Sequence, residues 1–160
     1  MMIASALKTA ALRAATALLL TGALNAPLAT AAEITELCDL TFTGNIKLAG
    51  VPVARTWPQQ SKGLSYLDDV GPGMLFAYDS AGTLSFWMRN TWVPLSVAYI
   101  GEDRRVFKME DMEPDSADYH LSGQPAKYAL EVMQGQFERK GIAVGSRLEN
   151  IECRAKRQAG

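Results

Sequence analysis

The sequence predicts a mostly β fold, a compact single-domain β-barrel or sandwich with two short helices. Three observations support this fold class. Short apolar runs recur along the chain, turn residues separate them every few positions, and only two stretches carry helix-boundary signals. With 160 residues, the chain suits one domain better than two.

A secretory signal peptide is expected at the N-terminus. Lys8 and Arg13 precede an apolar run over residues 14–24, and small residues follow at 29–31. This order is typical of a signal peptide, and the run is shorter than the roughly 20 residues of a membrane-spanning helix. We therefore expect residues 1–31 to be removed and the mature protein to be periplasmic or secreted, without stable membrane insertion.

The charge balance argues against nucleic acid as a partner. Without Lys8 and Arg13, fourteen basic side chains remain against seventeen acidic ones. No basic cluster offers a footprint for phosphate backbones. The sequence also contains no P-loop and no dinucleotide fingerprint, so no cofactor is expected.

Two cysteines, Cys38 and Cys153, lie near opposite ends of the mature chain. In an oxidising compartment they are expected to form a disulfide. The alternative is a pair of buried, unpaired thiols. A redox or metal role is disfavoured, because the sequence has no C-x-x-C motif and its single histidine lies far from both cysteines.

The first part of the domain is predicted to consist of strands joined by tight turns. Residues 38–42 and 46–48 flank a Gly-Asn pair, which is a hairpin signal, and a third strand is expected at 51–54. A short helix is expected to begin after Thr56, its N-cap, and to end at Gly63.

The longest apolar-rich run of the mature chain spans residues 73–100 and is predicted to form three strands. The first covers residues 74–78, the second covers 84–88, and the third begins at Leu95. In the second strand, alternation separates two faces, one with Leu84, Phe86 and Met88 and the other with Ser85, Trp87 and Arg89.

The remainder of the domain is predicted to be strands around one more helix. A polar loop with four acidic residues is expected at 111–124. The expected elements are a strand at 105–110, a strand at 128–133, a helix at 136–140, a last strand at 148–153 and a flexible tail at 154–160. These assignments make residues 32–153 the domain, and closure of its sheet would bring Cys38 to Cys153.

Three motifs follow one another in the first half of the domain: KGL at 62–64, GMLF at 73–76 and SFWMRNT at 85–91. ALEV follows at 129–132 in the second half. Together they resemble the bacterial and archaeal domain of unknown function 192 family, over residues 51–151. The resemblance implies a small, barrel-like, mostly β domain, often exported, with no established activity.

The chain departs from this resemblance at two positions. Ser65 stands where the family usually has Met, and Ser96 where it usually has Asp. If that Asp performs acid–base chemistry in relatives, this chain lacks the group, because a serine alone is neither a general acid nor a general base.

Five residues are predicted to bind a ligand at the concave mouth of the barrel: Trp87, Arg89, Asn90, Thr91 and Glu131. Guanidinium, amide and hydroxyl groups can bind a carboxylate or sugar hydroxyls, and a tryptophan face can hold a sugar. Glu131 lies on a buried strand face, where an unpaired carboxylate is costly, so Arg89 is the partner to propose, while the sequence leaves open whether the two meet. The structural alternative is that these residues satisfy a turn, fill the core and fix the sheet.

The sequence leaves three functions open. The first is a periplasmic module that binds a small ligand or an envelope protein. The second is an enzyme with Glu131 as acid or base, which the lack of a well-placed second carboxylate or histidine disfavours. The third is a docking module that uses loop 111–124. That loop holds the lone His120 and matches no calcium-binding pattern, so no metal is expected.

Overall fold

The computed structural model describes residues 33–157, so the expected signal peptide lies outside the described residues. The fold is mostly β, as predicted, and both short helices are present. The elements are β1 (Glu36–Phe42), β2 (Ile46–Ala54), α1 (Trp57–Lys62), β3 (Met74–Gly82), β4 (Ser85–Phe86), β5 (Leu95–Ile100), β6 (Val106–Met112), β7 (His120–Leu121), β8 (Ala126–Met133), α2 (Gln136–Lys140) and β9 (Leu148–Ala155).

Seven strands form one curled sheet in the order β6-β5-β8-β3-β2-β1-β9, and β4 and β7 pair separately. Within the large sheet, β2 and β3 run parallel and the other neighbours run antiparallel. The two edges approach each other at one end, where the amide of Leu148 donates to the carbonyl of Arg104 at 2.8 Å. Arg105 also bridges to Arg147 there. The sheet is therefore a half-barrel, in agreement with the predicted architecture.

The predicted N-terminal hairpin and the predicted disulfide are both present. β1 and β2 pair around a turn in which Gly44 and Asn45 adopt positive φ angles of 82° and 59°. The strand expected at 51–54 is part of β2, which runs unbroken through Gly50. β9 pairs with β1 on its other side, where Cys38 lies opposite Cys153, and a disulfide joins the two cysteines.

Three predicted elements differ from the structure. The strand expected at 84–88 is reduced to β4, because β4 pairs only with the equally short β7. The loop expected at 111–124 is interrupted by β7, and its first two residues belong to β6. The tail expected at 154–160 begins late, because Arg154 and Ala155 still pair with β1.

One hydrophobic cluster fills the inside of the half-barrel. It draws buried side chains from all seven strands of the sheet, and Phe137 of α2 closes it. Phe42, Leu75, Leu130 and Leu148 are among its largest fully buried members. Because it takes residues from every strand, this interior cluster is what holds the curled sheet together.

A second hydrophobic cluster lies on the outer face of β3, β8 and β5. Met74, Val97 and Tyr99 contribute from the sheet, and Leu64, Leu84 and Met88 contribute from the segments that cover it. We call this covered face the outer layer. The alternation predicted over residues 84–89 holds for burial, since Leu84 and Met88 are buried while Trp87 and Arg89 are exposed. None of the helices described here combines the length and apolar character needed to cross a membrane.

Candidate functional site

A pocket of about 330 Å³ lies within the outer layer, between α1 and the segment at 85–91. It therefore opens on the outer face of the sheet, and not at the barrel mouth where the sequence placed it. Its polar lining includes Gln60, Ser61, Ser65, Ser85, Thr91 and Glu131, and its aromatic lining is Trp57, Tyr78, Phe86 and Trp87. Three of the five predicted binding residues, Trp87, Thr91 and Glu131, thus meet at one site.

Glu131 is the buried carboxyl group of this pocket. It lies on β8 opposite Met74 of β3 and Val97 of β5, so its side chain shares the face that carries the outer layer. The residue is 5% exposed, and no ion pair reaches its carboxyl group from the described residues. Its oxygens face the pocket and are not among the buried polar atoms that lack a partner in the described part of the chain. Burial alone raises the pKa of Glu131 to about 8. The group is therefore mostly neutral at pH 7.

Gly73 allows the backbone of β8 to pack directly against the start of β3. Gly73 has a φ of 90°, and a Cβ atom there would overlap the carbonyl oxygen of Glu131. Both observations exclude a larger residue without movement of the strand. The GMLF motif that begins at Gly73 therefore positions the carboxyl-bearing strand against β3.

Tyr78 of β3 is the titratable neighbour of Glu131 in the pocket lining. Burial, and after it the charge of Glu131, raise the pKa of Tyr78 to about 12. The phenol stays neutral wherever Glu131 titrates. It offers the pocket an O–H donor beside the carboxyl group.

Helix α1 forms one wall of the pocket. Gln59 ties down its start, because Oε1 of Gln59 accepts a hydrogen bond from the amide of Thr56 at 3.1 Å. Gln60 holds the helix on the sheet by donating from Nε2 to the carbonyl of Ala77 at 3.1 Å. Trp57, which is 78% exposed, projects from this helix beside the pocket entrance.

The segment around β4 forms the opposite wall. Phe86 packs edge-on against Phe76 at 4.9 Å between ring centroids, which fixes the segment on the sheet. Trp87 is 44% exposed and stacks on Tyr119, with 5.8 Å between centroids. The guanidinium of Arg89 also forms a cation–π contact with the indole ring, with Cζ 4.8 Å from the ring centroid.

The expected pair between Arg89 and Glu131 does not form among the described residues. Arg89 lies on the exposed side of its segment over Trp87, while Glu131 lies under that segment. The charge of Arg89 stays in water, and its guanidinium makes no ion pair within the described part of the chain. Arg89 and Asn90 are also absent from the lining of the pocket.

Asn90 shapes the turn, as the structural alternative expected. It has a φ of 59°. Its backbone N–H donates to Oδ1 of Asp115, and its backbone carbonyl accepts from the backbone N–H of Tyr66. Asparagine tolerates this left-handed conformation better than most residues. Thr91, by contrast, is buried at 3% exposure and reaches the pocket.

The family model described as Uncharacterized ACR, DUF192, matches residues 39–150. The chain belongs to the DUF192 family. The match begins earlier than the resemblance over residues 51–151 and covers most of β1 through the first part of β9. Among curated proteins, none is significantly similar in sequence to this chain.

Two solved structures have a fold similar to that of this chain. One, from Sinorhizobium meliloti, is named as a candidate transcription regulator; it has 26% identity and a TM-score of 0.65, with 77% of this chain and 95% of that chain covered. The other, from Novosphingobium aromaticivorans, is a protein of unknown function; it has 30% identity and a TM-score of 0.63, with 72% and 83% covered.

The DUF192 string SFWMRNT accounts for the second wall of the pocket. Ser85, Phe86, Trp87, Met88 and Thr91 of this string all line it. Apart from Glu131, the lining residues outside this string were missed because they lie elsewhere in the sequence. No motif linked Trp57 and Tyr78 to this string. The one signal for Trp57 was its place on a six-residue helix, where an exposed tryptophan is unusual.

The two departures from the family resemblance have different surroundings. Ser65 lines the pocket and donates to the carbonyl of Arg89 at 3.4 Å. Ser96 lies away from the pocket, where its hydroxyl donates to Oδ1 of Asp111 at 2.5 Å. The carboxylate beside Ser96 is therefore supplied by β6, and it also accepts from Gln134 at 3.0 Å.

The loop predicted for docking supports the second wall of the pocket. The amide of Met88 donates to the carbonyl of Ser116 at 3.2 Å, and the amide of Asp115 donates to the carbonyl of Thr91 at 2.9 Å. His120 does not reach the pocket: its Nδ1 lies 2.9 Å from Oε1 of Glu110. The segment at 113–122 is thus tied to the domain by hydrogen bonds, while most of its side chains stay exposed.

Two other features among the described residues were considered as sites: a cluster of metal-ligating residue types and a second large cavity. Glu36, Cys38 and Cys153 are the one metal-like cluster found within residues 33–157, and the disulfide occupies both sulfur atoms. A second pocket of about 400 Å³ lies on the other side of Lys62–Leu64. Its lining is mainly apolar, and the charged residues that line it are exposed. The pocket with Glu131 is therefore the candidate site.

Proposed function

We propose that this protein is an exported binding module that holds a small ligand in the pocket between α1 and segment 85–91. The ligand lays a flat or apolar face on Trp57 and Trp87 and extends a polar group to Glu131. The observation that carries this proposal is the buried Glu131 carboxyl group, which lines the pocket without an ion-pair partner from the described residues. A carboxyl group that faces a pocket and forms no ion pair with the described residues is available to bond a polar group of a ligand.

Export rests on the sequence and is consistent with the covalent structure. The charged and apolar segments at 1–31 have the order of a signal peptide. A disulfide between Cys38 and Cys153 is a bond that persists in oxidising compartments. We therefore propose that the ligand is a molecule of the periplasm or the external medium, and not a nucleic acid.

A thermal-shift screen of the mature protein tests the binding proposal. The panel contains sugars, amino acids, amines and short peptides of the cell envelope. A ligand at about a hundred times its dissociation constant should add nearly 3 kcal/mol to the free energy of unfolding. Glu131→Gln should lose this stabilisation, whereas Glu149→Gln, an exposed glutamate on β9, should keep it. A hit that both variants retain would show that the ligand binds elsewhere.

An enzyme that uses Glu131 as a general acid is the second candidate. The observation in its favour is the pKa of about 8, which keeps a proton on the carboxyl group near neutral pH. Against it, the pocket lining supplies no histidine and no second carboxylate among the described residues. Mass spectrometry of each hit after incubation with the protein separates the two candidates, because a binding module returns its ligand unchanged.

A further inference from the structure

We propose that the group which the ligand places against Glu131 is a positively charged amine, so that the pocket is a site for small ammonium compounds. This inference rests on the proposed function, since it specifies the ligand of the same pocket. Two features of the pocket carry it: an acid in its floor that lacks a counter-ion, and aromatic rings in its walls.

The acid in the floor lacks a cation from this chain. Arg89, the cation of the segment that forms the second wall, lies on the exposed side of Trp87 and does not line the pocket. Lys62 lines the entrance, is exposed and makes no ion pair with Glu131. A ligand that carries its own cation would supply the missing counter-charge, and a buried carboxylate is stable only when it has one.

Aromatic side chains line the same pocket as that acid. Trp57, Tyr78, Phe86 and Trp87 all line the pocket, from three separate parts of the chain. The faces of such rings attract cations, and aromatic cages are a common means of holding quaternary ammonium groups. Trp87 already shows this preference, because the guanidinium of Arg89 lies over its ring.

The charged and titratable groups around Glu131 are few. On the sheet, Tyr78 of β3 and Tyr99 of β5 interact electrostatically with Glu131. Burial, and after it nearby negative charge, raise the pKa of both phenols, so both stay neutral below pH 9. From the covering segments, Lys62 of α1 and Arg89 over the Trp87 ring both oppose a cationic ligand, but both are exposed, and water screens their repulsion. Glu131 is therefore the group that sets how binding responds to pH.

Binding of an ammonium group should expel a proton from the pocket. At pH 7 about nine-tenths of the Glu131 groups carry a proton, given a pKa of about 8. A cation favours the carboxylate, so its binding releases that proton. For choline, whose charge is permanent, the affinity should rise about fiftyfold between pH 6 and pH 8 and level off above that.

Isothermal titration calorimetry with two matched pairs of probes tests this inference. Choline is compared with 3,3-dimethyl-1-butanol, its uncharged carbon analogue, and glucosamine is compared with glucose. Titrations at pH 7 in buffers of different ionisation enthalpy count the protons released. We expect at least one amine to bind about tenfold more tightly than its neutral partner, with release of nearly one proton. Glu131→Gln should lose both effects, and Glu149→Gln should keep them.

The possible outcomes separate this inference from the proposed function. Equal binding of the charged and neutral members of each pair, without proton release, would overturn the amine assignment and leave the binding proposal intact. If none of the four probes binds, the amine assignment fails, and the wider thermal-shift panel decides the binding proposal by itself. Glutamine resembles the protonated carboxyl group in shape and charge, so Glu131→Gln is expected to fold, which its circular dichroism spectrum checks.

Discussion

The two apolar cores on opposite faces of the sheet differ in their polar content. The interior cluster is built of apolar side chains from every strand, and the disulfide of Cys38 joins its first and last strands. Of the five buried polar side chains in residues 33–157, Gln59, Thr91, Ser122 and Glu131 lie on the outer layer or on the segments that cover it. Polar groups in a core reduce its contribution to stability. The comparison thus assigns stability mainly to the interior cluster, and the proposed ligand site lies in the outer layer.

The largest expected effect concerns Glu131 and pH. The folded state raises the pKa of this group from 4.5 to about 8, so folding favours the protonated form. The stability that this proton provides is complete below pH 4.5 and is lost as the pH rises to about 8. The loss is about 1.4 kcal/mol per pH unit, or about 5 kcal/mol in total.

Urea denaturation of wild type and Glu131→Gln between pH 4.5 and pH 9 measures this loss. As the pH rises, the free energy of unfolding of the wild type should fall relative to that of the variant. This difference should stop growing above about pH 8. Glu149→Gln, which changes an exposed glutamate, should follow the wild type throughout. A constant gap over this range would mean that the outer layer is open to water around Glu131.

The second effect concerns the disulfide, which belongs to the interior side of the comparison. The bond between Cys38 and Cys153 closes a loop with a sequence separation of 115. Its removal in a double alanine variant should lower the free energy of unfolding by about 4 kcal/mol, because the unfolded chain gains conformational freedom. The pocket contains neither cysteine, so any ligand found in the screen should bind the folded variant with unchanged affinity. A loss of affinity would show that the two cores are coupled.

Local signals in the sequence were sufficient for much of the fold. The Gly-Asn pair at Gly44 and Asn45 fixed the first hairpin, and Thr56 and Gly63 bounded α1 as predicted. These features succeed because turns and helix ends depend on a few neighbouring residues. The prediction of a strand over residues 84–88 was wrong in its length, because alternation indicates burial and not strand pairing. Leu84 and Met88 are buried, yet only Ser85 and Phe86 pair with another strand.

The candidate site was predicted only in part, because it is assembled from distant segments. Trp87, Thr91 and Glu131 were recognised from their residue types and now share one pocket. The pair of Arg89 and Glu131, which the sequence left open, does not form within the described residues, because Arg89 lies on the exposed side of its segment over Trp87. Which aromatic residues of α1 and β3 join the pocket depends on packing across the sheet, which no short motif encodes.

The third effect compares one substitution in the two cores. Leu130 and Leu95 are both fully buried leucines of neighbouring strands, but Leu130 packs in the interior cluster and Leu95 borders the pocket. Leu130→Ala should cost about 4 kcal/mol and Leu95→Ala about 2 kcal/mol, because a cavity that opens onto the pocket can fill with water. Chemical denaturation measures both. Equal costs would mean that the outer layer is packed as tightly as the interior.

The smallest effect tests whether the turn of the outer layer only shapes the pocket or also binds the ligand. Asn90 has a φ of 59°, so Asn90→Ala should cost about 1 kcal/mol, whereas Asn90→Gly should be nearly neutral. If the side chain only permits the turn, the glycine variant keeps full ligand stabilisation in the thermal-shift assay. If the amide binds the ligand, both variants lose that stabilisation to the same extent. The glycine variant therefore separates the conformational role of Asn90 from a chemical one, which the alanine variant alone does not.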